Sequence, residues 1–147
     1  MTQDLPLVAK VDDDEVDALL LRKAFAGGRV PVEFIHHLGG GELMADFAAA
    51  DRAGQTGAPA RLPNLILLDI NMPAMDGFQV LRAIRAAPAT RAVPVVMFTT
   101  SNLQDDVDLA YREGANGYFV KPGSMGELKR WIEAVDEYWF SLVKLPT

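Results

Sequence analysis

Five short, nearly continuous apolar runs alternate with longer segments of helical period along the chain, and this alternation restricts the fold more than any other feature. The runs are Leu7 to Asp12, Val32 to His37, Asn64 to Asp69, Val93 to Phe98 and Gly117 to Val120. Apolar on both faces, most of them read as strands covered on both sides, and their repetition with helices predicts βαβ units and a parallel sheet. With 147 residues, half of them apolar, the chain is long enough to bury a substantial core. One compact domain over residues 1–147 is expected, with its core at about 5–144 and no output domain.

The intervening helices are marked by apolar spacing and caps. The first begins near Asp14, carries Val16, Leu19, Leu20 and Ala24 on one face, and ends at Gly27-Gly28. The second runs from Gly41 to Ala50, after a glycine turn at Gly39-Gly40-Gly41. Asp51 to Pro63, rich in Gly, Ala and Pro, reads as a surface loop. Asp76-Gly77 opens a third helix with Phe78, Leu81 and Ile84 in register, and Leu103, Val107, Ala110 and Tyr111 mark a fourth. The last starts near Ser124. Its stripe is Leu128, Trp131, Ile132, Val135, Trp139 and Leu142, with Tyr138, Phe140 and Val143 left over as additional apolar surface.

Composition removes several classes of function. There is no cysteine, hence no disulfide, thiolate metal site or cysteine nucleophile. A formal charge of −6 without a basic stripe argues against direct binding of nucleic acid. The apolar runs fall short of the ~20 residues that span a bilayer, and Met1-Thr2-Gln3-Asp4 lacks the basic start of a signal peptide. No membrane association and a cytoplasmic location are therefore expected. His36 and His37 alternate across a strand without a third ligand nearby, so they read as structural.

The chemistry-bearing residues stand where strands end. In open parallel α/β sheets, ligands bind beyond the carboxyl ends of the strands. Asp12-Asp13, Asp69, Thr99 and Lys121 all occupy such ends. Taken alone, each has a plainer reading: an aspartate that turns or caps, a β-branched strand residue, a solvated lysine. Grouped, two or three carboxylates repel one another unless a cation sits among them, and an all-oxygen set suits Mg²⁺. Asp69 can then act as a nucleophile toward phosphorus. Lys121 and Thr99 are the types of residue that stabilise the oxygens of a transferred phosphoryl group.

Taken in order, Val11-Asp12-Asp13-Asp14, Leu68-Asp69-Ile70-Asn71-Met72-Pro73 with Asp76-Gly77, Pro94-Val95-Val96-Met97-Phe98-Thr99-Thr100, Gly114-Ala115 and Gly117-Tyr118-Phe119-Val120-Lys121-Pro122 resemble the receiver domains of two-component response regulators. The long loop before the third strand, the string Thr99-Thr100-Ser101 and the ending Tyr138-Trp139-Phe140 look most like the small stand-alone receivers paired with bacterial phytochrome histidine kinases. The resemblance implies a flavodoxin-like, doubly wound (βα)5 fold with strand order 2-1-3-4-5. It implies Asp69 as phosphoacceptor, and Mg²⁺ held by Asp12, Asp13, Asp69 and the backbone carbonyl of Asn71. Lys121 would bind the phosphoryl group, Thr99 and Tyr118 would form the switch, and Asn71 and Ser101 would tune dephosphorylation. The bond to Pro122 would be cis. The implied partners are a histidine kinase, here a bacteriophytochrome, and a second copy of the chain. Such a protein is a signalling phosphoacceptor, not an enzyme acting on external substrates.

Two residues depart from the family pattern. Lys10 lies inside the first strand, where an apolar residue is usual and a buried ammonium needs a carboxylate partner. Gly123 replaces a bulky residue after Lys121-Pro122. Both leave open an alternative, a degenerate receiver that binds proteins without taking up phosphate. A haloacid-dehalogenase-type phosphatase would need a second carboxylate two residues after its nucleophile, where this chain has Asn71. A flavodoxin-like electron carrier would need a Ser/Thr-rich phosphate loop after the first strand, which is absent from the sequence.

Overall fold

A computed structural model describes residues 5–55 and 61–146. Five strands, β1 (Leu7–Val11), β2 (Glu33–His37), β3 (Leu65–Leu68), β4 (Val95–Thr99) and β5 (Gly117–Val120), pair in parallel in the order β2-β1-β3-β4-β5. This is the doubly wound, flavodoxin-like arrangement expected of the receiver fold. Helices α1 (Glu15–Ala26), α2 (Gly40–Gln55), α3 (Gly77–Ala86), α4 (Gln104–Arg112) and α5 (Met125–Glu137) connect and extend them.

Because side chains alternate across a strand, each strand feeds two cores. Ala9, Val11, Ile66, Leu68, Val95 and Met97 join Leu43, Leu81 and Ile84 on one face. Val8, Leu65, Leu67, Val96 and Phe98 meet Leu21, Phe25, Leu128, Trp131 and Ile132 on the other. Trp131 anchors the second core, with Phe98 at 4.6 Å, Phe119 at 5.4 Å and Phe25 at 6.2 Å between ring centroids.

The N-termini of three helices are set by local caps. Asp14 accepts from the N–H groups of Val16 and Asp17 and starts α1. Asp76 and Gln79 form a reciprocal capping box at α3, and Ser124 caps α5 through the Glu127 N–H.

Several expectations require correction. The buried face of α1 is Ala18, Leu21 and Phe25; Val16, Leu19 and Leu20 are exposed. Two apolar stripes interleave on this helix, and the one that carries Phe25 has the greater area to bury. Helix α2 starts at Gly40, inside the expected glycine turn, and continues through residues 51–55, where the sequence predicts a surface loop. Gly40 is there because a Cβ would sit 2.6 Å from Val80 Cγ2 and 2.7 Å from Met75 Sδ, so α2 can approach α3 closely. The rest of the expected loop includes residues 56–60, which lie outside the described residues. At α4, Leu103, which precedes the helix, and Tyr111 within it are exposed, and Ala110 alone in the helix is buried. After α5 the chain makes one π-helical turn, Tyr138–Leu142. The wider turn shifts the phase of the stripe, so Leu142 points outward at 70% exposure while Trp139 and Phe140 pack on the second core. No cis peptide bond occurs among the described residues, so the bond before Pro122 is trans, the form a proline amide prefers intrinsically by about 0.5–1 kcal/mol.

Candidate functional site

Strand register brings the acidic residues together. Val11 pairs with Leu68, so the residues that follow them, Asp12 and Asp69, emerge side by side, joined by the Asp69 N–H bond to the Val11 carbonyl at 3.0 Å. Thr99 pairs with Val120, and the Lys121 N–H donates to the Thr99 carbonyl at 2.7 Å, which sets Lys121 at the same edge. Oxygens of Asp12, Asp13 and Asp69 lie within 4.8 Å of one another. Asp12 and Asp69 are buried and Asp13 is exposed, so the cluster opens to solvent through Asp13. An open cleft over it is lined by Asp12, Asp13, Asp17, Asp69, Asn71 and Lys121, among others.

The donors around the cluster orient each carboxylate. Asp69 Oδ1 accepts from the Ile70 N–H at 2.8 Å, leaving Oδ2 facing Lys121 Nζ at 3.4 Å. Lys121 donates more closely to Asp12 Oδ2 and to Asp17 Oδ2, both at 2.8 Å. Asp12 Oδ1 accepts the Asp14 N–H at 2.9 Å. From within β1, Lys10 Nζ approaches Asp12 Oδ2 to 3.0 Å with both side chains fully buried, supplying the carboxylate partner expected of a lysine in that strand.

These contacts set the charge states. Burial alone would raise the Asp12 carboxyl. The Lys10 charge, the Lys121 hydrogen bond and the Asp14 N–H outweigh it and hold the group at about 2, below its ordinary 3.8. Burial opposes the charge of Lys121 as well, yet the hydrogen bonds to Asp12 and Asp17 push it above the usual lysine value. Lys10 moves the other way: desolvation dominates the attraction of Asp12 and lowers it.

Because the folded Asp12 releases its proton more readily than the unfolded one, its stabilisation is complete above about pH 4. It is lost as pH falls from about 4 toward 2, an effect of ~2 kcal/mol. Urea midpoints measured across this range in metal-free buffer should drop, and Asp12→Asn should flatten that limb. An unaltered limb in the variant would contradict the assignment.

The remaining expected site residues form a second layer. Thr99 is fully buried at the end of β4, and its hydroxyl accepts from the Ser101 N–H at 3.4 Å. Tyr118, half-buried, donates its hydroxyl to the Ser101 carbonyl at 2.9 Å, and Ser101 Oγ donates to Asp106 at 2.6 Å. Burial raises the Tyr118 phenol above its usual value. Asn71 is exposed and borders the cleft, while Pro122 lines an adjoining apolar groove with Leu20, Phe98, Met125 and Leu128, which shares Asp17 and Lys121 with the cleft. Gly123 is exposed, with its N–H taken by Glu127 at 3.0 Å.

Two supporting residues were not anticipated. Asp17 shares Lys121, and its one sequence signal is its place a helical turn beyond Asp13. His36 Nε2 lies 2.7 Å from the Asp12 carbonyl; a carbonyl only accepts, so the ring nitrogen donates. His37 is buried against Asp46 at 2.6 Å, and neither histidine belongs to a candidate metal cluster among the described residues.

Oxygen-only ligands, one exposed and two buried, suit a hard divalent cation with room for a phosphate. The comparisons with known proteins agree with this geometry. Residues 8–133 match the response regulator receiver domain family. Response regulator Rcp1 of Synechocystis is 31% identical over 140 residues, covering 95% of this chain and 92% of that one. A probable methanogenesis regulatory protein of Methanothrix harundinacea, FilR2, is 34% identical over 142 residues, covering 95% and 87%. Among solved structures, the phosphorylated cyanobacterial phytochrome response regulator RcpA superposes with a TM-score of 0.83 at 33% identity, covering 97% of this chain and 99% of that one. Response regulator RPA3017, in red light signalling of R. palustris, gives 0.85 at 29% identity over the same shares. No helix among the described residues is long and apolar enough to cross a membrane. With the ordered strand-end residues, the sheet order and these matches in agreement, the chain belongs to the response regulator receiver family.

Proposed function

We propose that the chain is a single-domain response regulator that takes a phosphoryl group from a histidine kinase onto Asp69 and so alters a binding surface. The observation that carries this reading is the convergence of Asp12, Asp13 and Asp69 within 4.8 Å, with Lys121 Nζ 3.4 Å from Asp69. In the transfer, an Asp69 carboxylate oxygen attacks phosphorus, the bond from phosphorus to the donor's imidazole nitrogen breaks, and an acyl phosphate forms. Asp12, Asp13, Asp69 and the Asn71 carbonyl would hold Mg²⁺, which when bound neutralises charge on the transferred oxygens. Lys121 supplies a further cation to those oxygens. Water then hydrolyses the acyl phosphate at a rate tuned by Asn71 and Ser101, which flank the site.

Thr99 and Tyr118 supply the switch. Both are tied to Ser101, one at its N–H and the other at its carbonyl. A hydroxyl that turns toward new phosphoryl oxygens gives up the Ser101 N–H, which frees the loop between β4 and α4 and with it the Tyr118 anchor.

Asp17 competes with Asp69 for Lys121. Asp17→Asn should therefore speed phosphoryl uptake from acetyl phosphate about fivefold, the worth of roughly 1 kcal/mol. Stopped-flow Trp fluorescence would measure this, and an unchanged or slower rate would contradict the competition.

The kinase is read as a phytochrome because the similar RcpA is described as a phytochrome response regulator and RPA3017 as acting in red light signalling. A homodimer is supported by the exposed Leu103, Tyr111, Val120, Tyr138 and Leu142 on α4, β5 and the C-terminal turn. A monomeric mass by light scattering at micromolar concentration, with and without phosphorylation, would refute it. The alternative, a receiver that binds partners without phosphate, draws on the two ammonium groups already in contact with Asp12. Incubation with acetyl phosphate and Mg²⁺, followed by intact mass, separates the two readings. One added phosphoryl group, absent from Asp69→Asn and from a chelated control, supports the first; no added mass at any time supports the second.

A further inference from the structure

We propose that Lys10 is a fixed counter-cation of the acidic cleft that weakens its hold on divalent metal, so that the cleft fills at higher metal concentration than its carboxylates alone would set. The inference rests on the reading of the cleft as a divalent-cation site and names how this chain tunes it.

Lys10 is fully buried in β1, with Nζ 3.0 Å from Asp12 Oδ2 and 5.1 Å from the centroid of the Phe98 ring. No hydrogen-bond acceptor meets Nζ with directed geometry, so its interaction with Asp12 is one of charge and proximity. The same Asp12 oxygen also receives Lys121 at 2.8 Å, and the other oxygen is taken by the Asp14 N–H. Asp12 is thus committed on both oxygens before any metal arrives.

The two lysines differ in freedom. Lys121 is partly exposed, and Asp17 on α1 can retain it if a cation displaces it from Asp12. Lys10 has no such exit, since it stands on a strand bonded on both sides by β2 and β3, with Phe98 against it. Its Nζ therefore stays beside Asp12 whether or not the cleft is filled. A divalent ion entering among Asp12, Asp13 and Asp69 therefore meets a like charge a few ångströms away, in surroundings that screen poorly. Hydrogen-bonded networks that merely stabilise the fold would alter the melting temperature and leave metal affinity unchanged.

The test is a titration of the 147-residue chain with Mn²⁺ alone, with free ion read from its electron paramagnetic resonance signal, for the unaltered protein, Lys10→Met and Lys10→Leu. Both variants keep Asp12 paired with Lys121 and the Asp14 N–H. Each should bind Mn²⁺ at least ~10-fold more tightly than the unaltered chain. Affinities within twofold, or weaker binding by the variants, would overturn the inference while leaving the cation site standing. No binding by any of the three at millimolar Mn²⁺ would overturn the cation site and the inference together. Should the variants fail to fold, the unaltered chain still decides: the Lys10 side-chain nitrogen, observed by ¹⁵N NMR, should shift during a Mg²⁺ titration, because an ion close enough to feel its charge also polarises it. A resonance unmoved at saturation would refute the inference.

Discussion

Gly77→Ala should destabilise the protein by about 3 kcal/mol or more, beyond what a single added methyl group usually costs. A Cβ at this position would lie 2.2 Å from the Asp69 carbonyl oxygen, 2.8 Å from Ile70 Cα and 2.9 Å from the Asp69 carbonyl carbon. All three are backbone atoms, so no side chain can rotate away. The clash falls where β3 hands over to α3, and the Gly77 N–H bond to the Ile70 carbonyl, 2.8 Å, draws the two segments together. Relief would require Asp69 itself to move, so phosphoryl uptake should fall along with stability. Urea unfolding measures the first effect and mass spectrometry the second. Gly126→Ala is the control: nothing lies within 4 Å of a Cβ there, in an exposed part of α5, and alanine should be neutral or stabilise by up to ~1 kcal/mol. A melting temperature for Gly77→Ala equal to that of the unaltered chain would contradict the packing described at this junction.

Asp12→Ala should cost about 3–5 kcal/mol, because it strands the buried Lys10 ammonium without the carboxylate that faces it. The opposite deletion is expected to be mild. Lys10→Met replaces a fully buried charge with an apolar chain of similar length and leaves Asp12 with Lys121 and the Asp14 N–H. Such replacements are often neutral or stabilising by ~1–4 kcal/mol. The double variant should recover most of the stability lost in Asp12→Ala. Urea midpoints for the three proteins check this asymmetry; equal losses in both single variants would show that Lys10 stabilises the fold in its own right.

The parts legible in the sequence are those that repeat with a local period or sit at a strand end. Apolar runs such as Leu65 to Leu68 located all five strands, and the polar residues that follow them located the cleft. What escaped is set by contacts between distant elements. Asp17 meets Lys121 across 104 positions and His36 meets the Asp12 carbonyl across 24, and no spacing rule carries either. On α1, apolar residues cover more than one face, so period alone does not choose between Leu19 and Leu21; the sheet chooses. Residues 51–55 read as loop because glycine and proline follow, although Ala48, Ala49, Ala50 and Ala53 favour helix. The π-helical turn adds a residue to the cycle, which no fixed period anticipates.

Asp69, and no other carboxylate of the cleft, is expected to take the phosphoryl group. Borohydride reduces an acyl phosphate to an alcohol and would leave homoserine at the aspartate that carried it. After incubation with acetyl phosphate and Mg²⁺, reduction and peptide mass spectrometry should find homoserine at position 69 alone. Homoserine at Asp12 or Asp13 instead, or a phosphorylated chain with none at position 69, would contradict Asp69 as the phosphoacceptor.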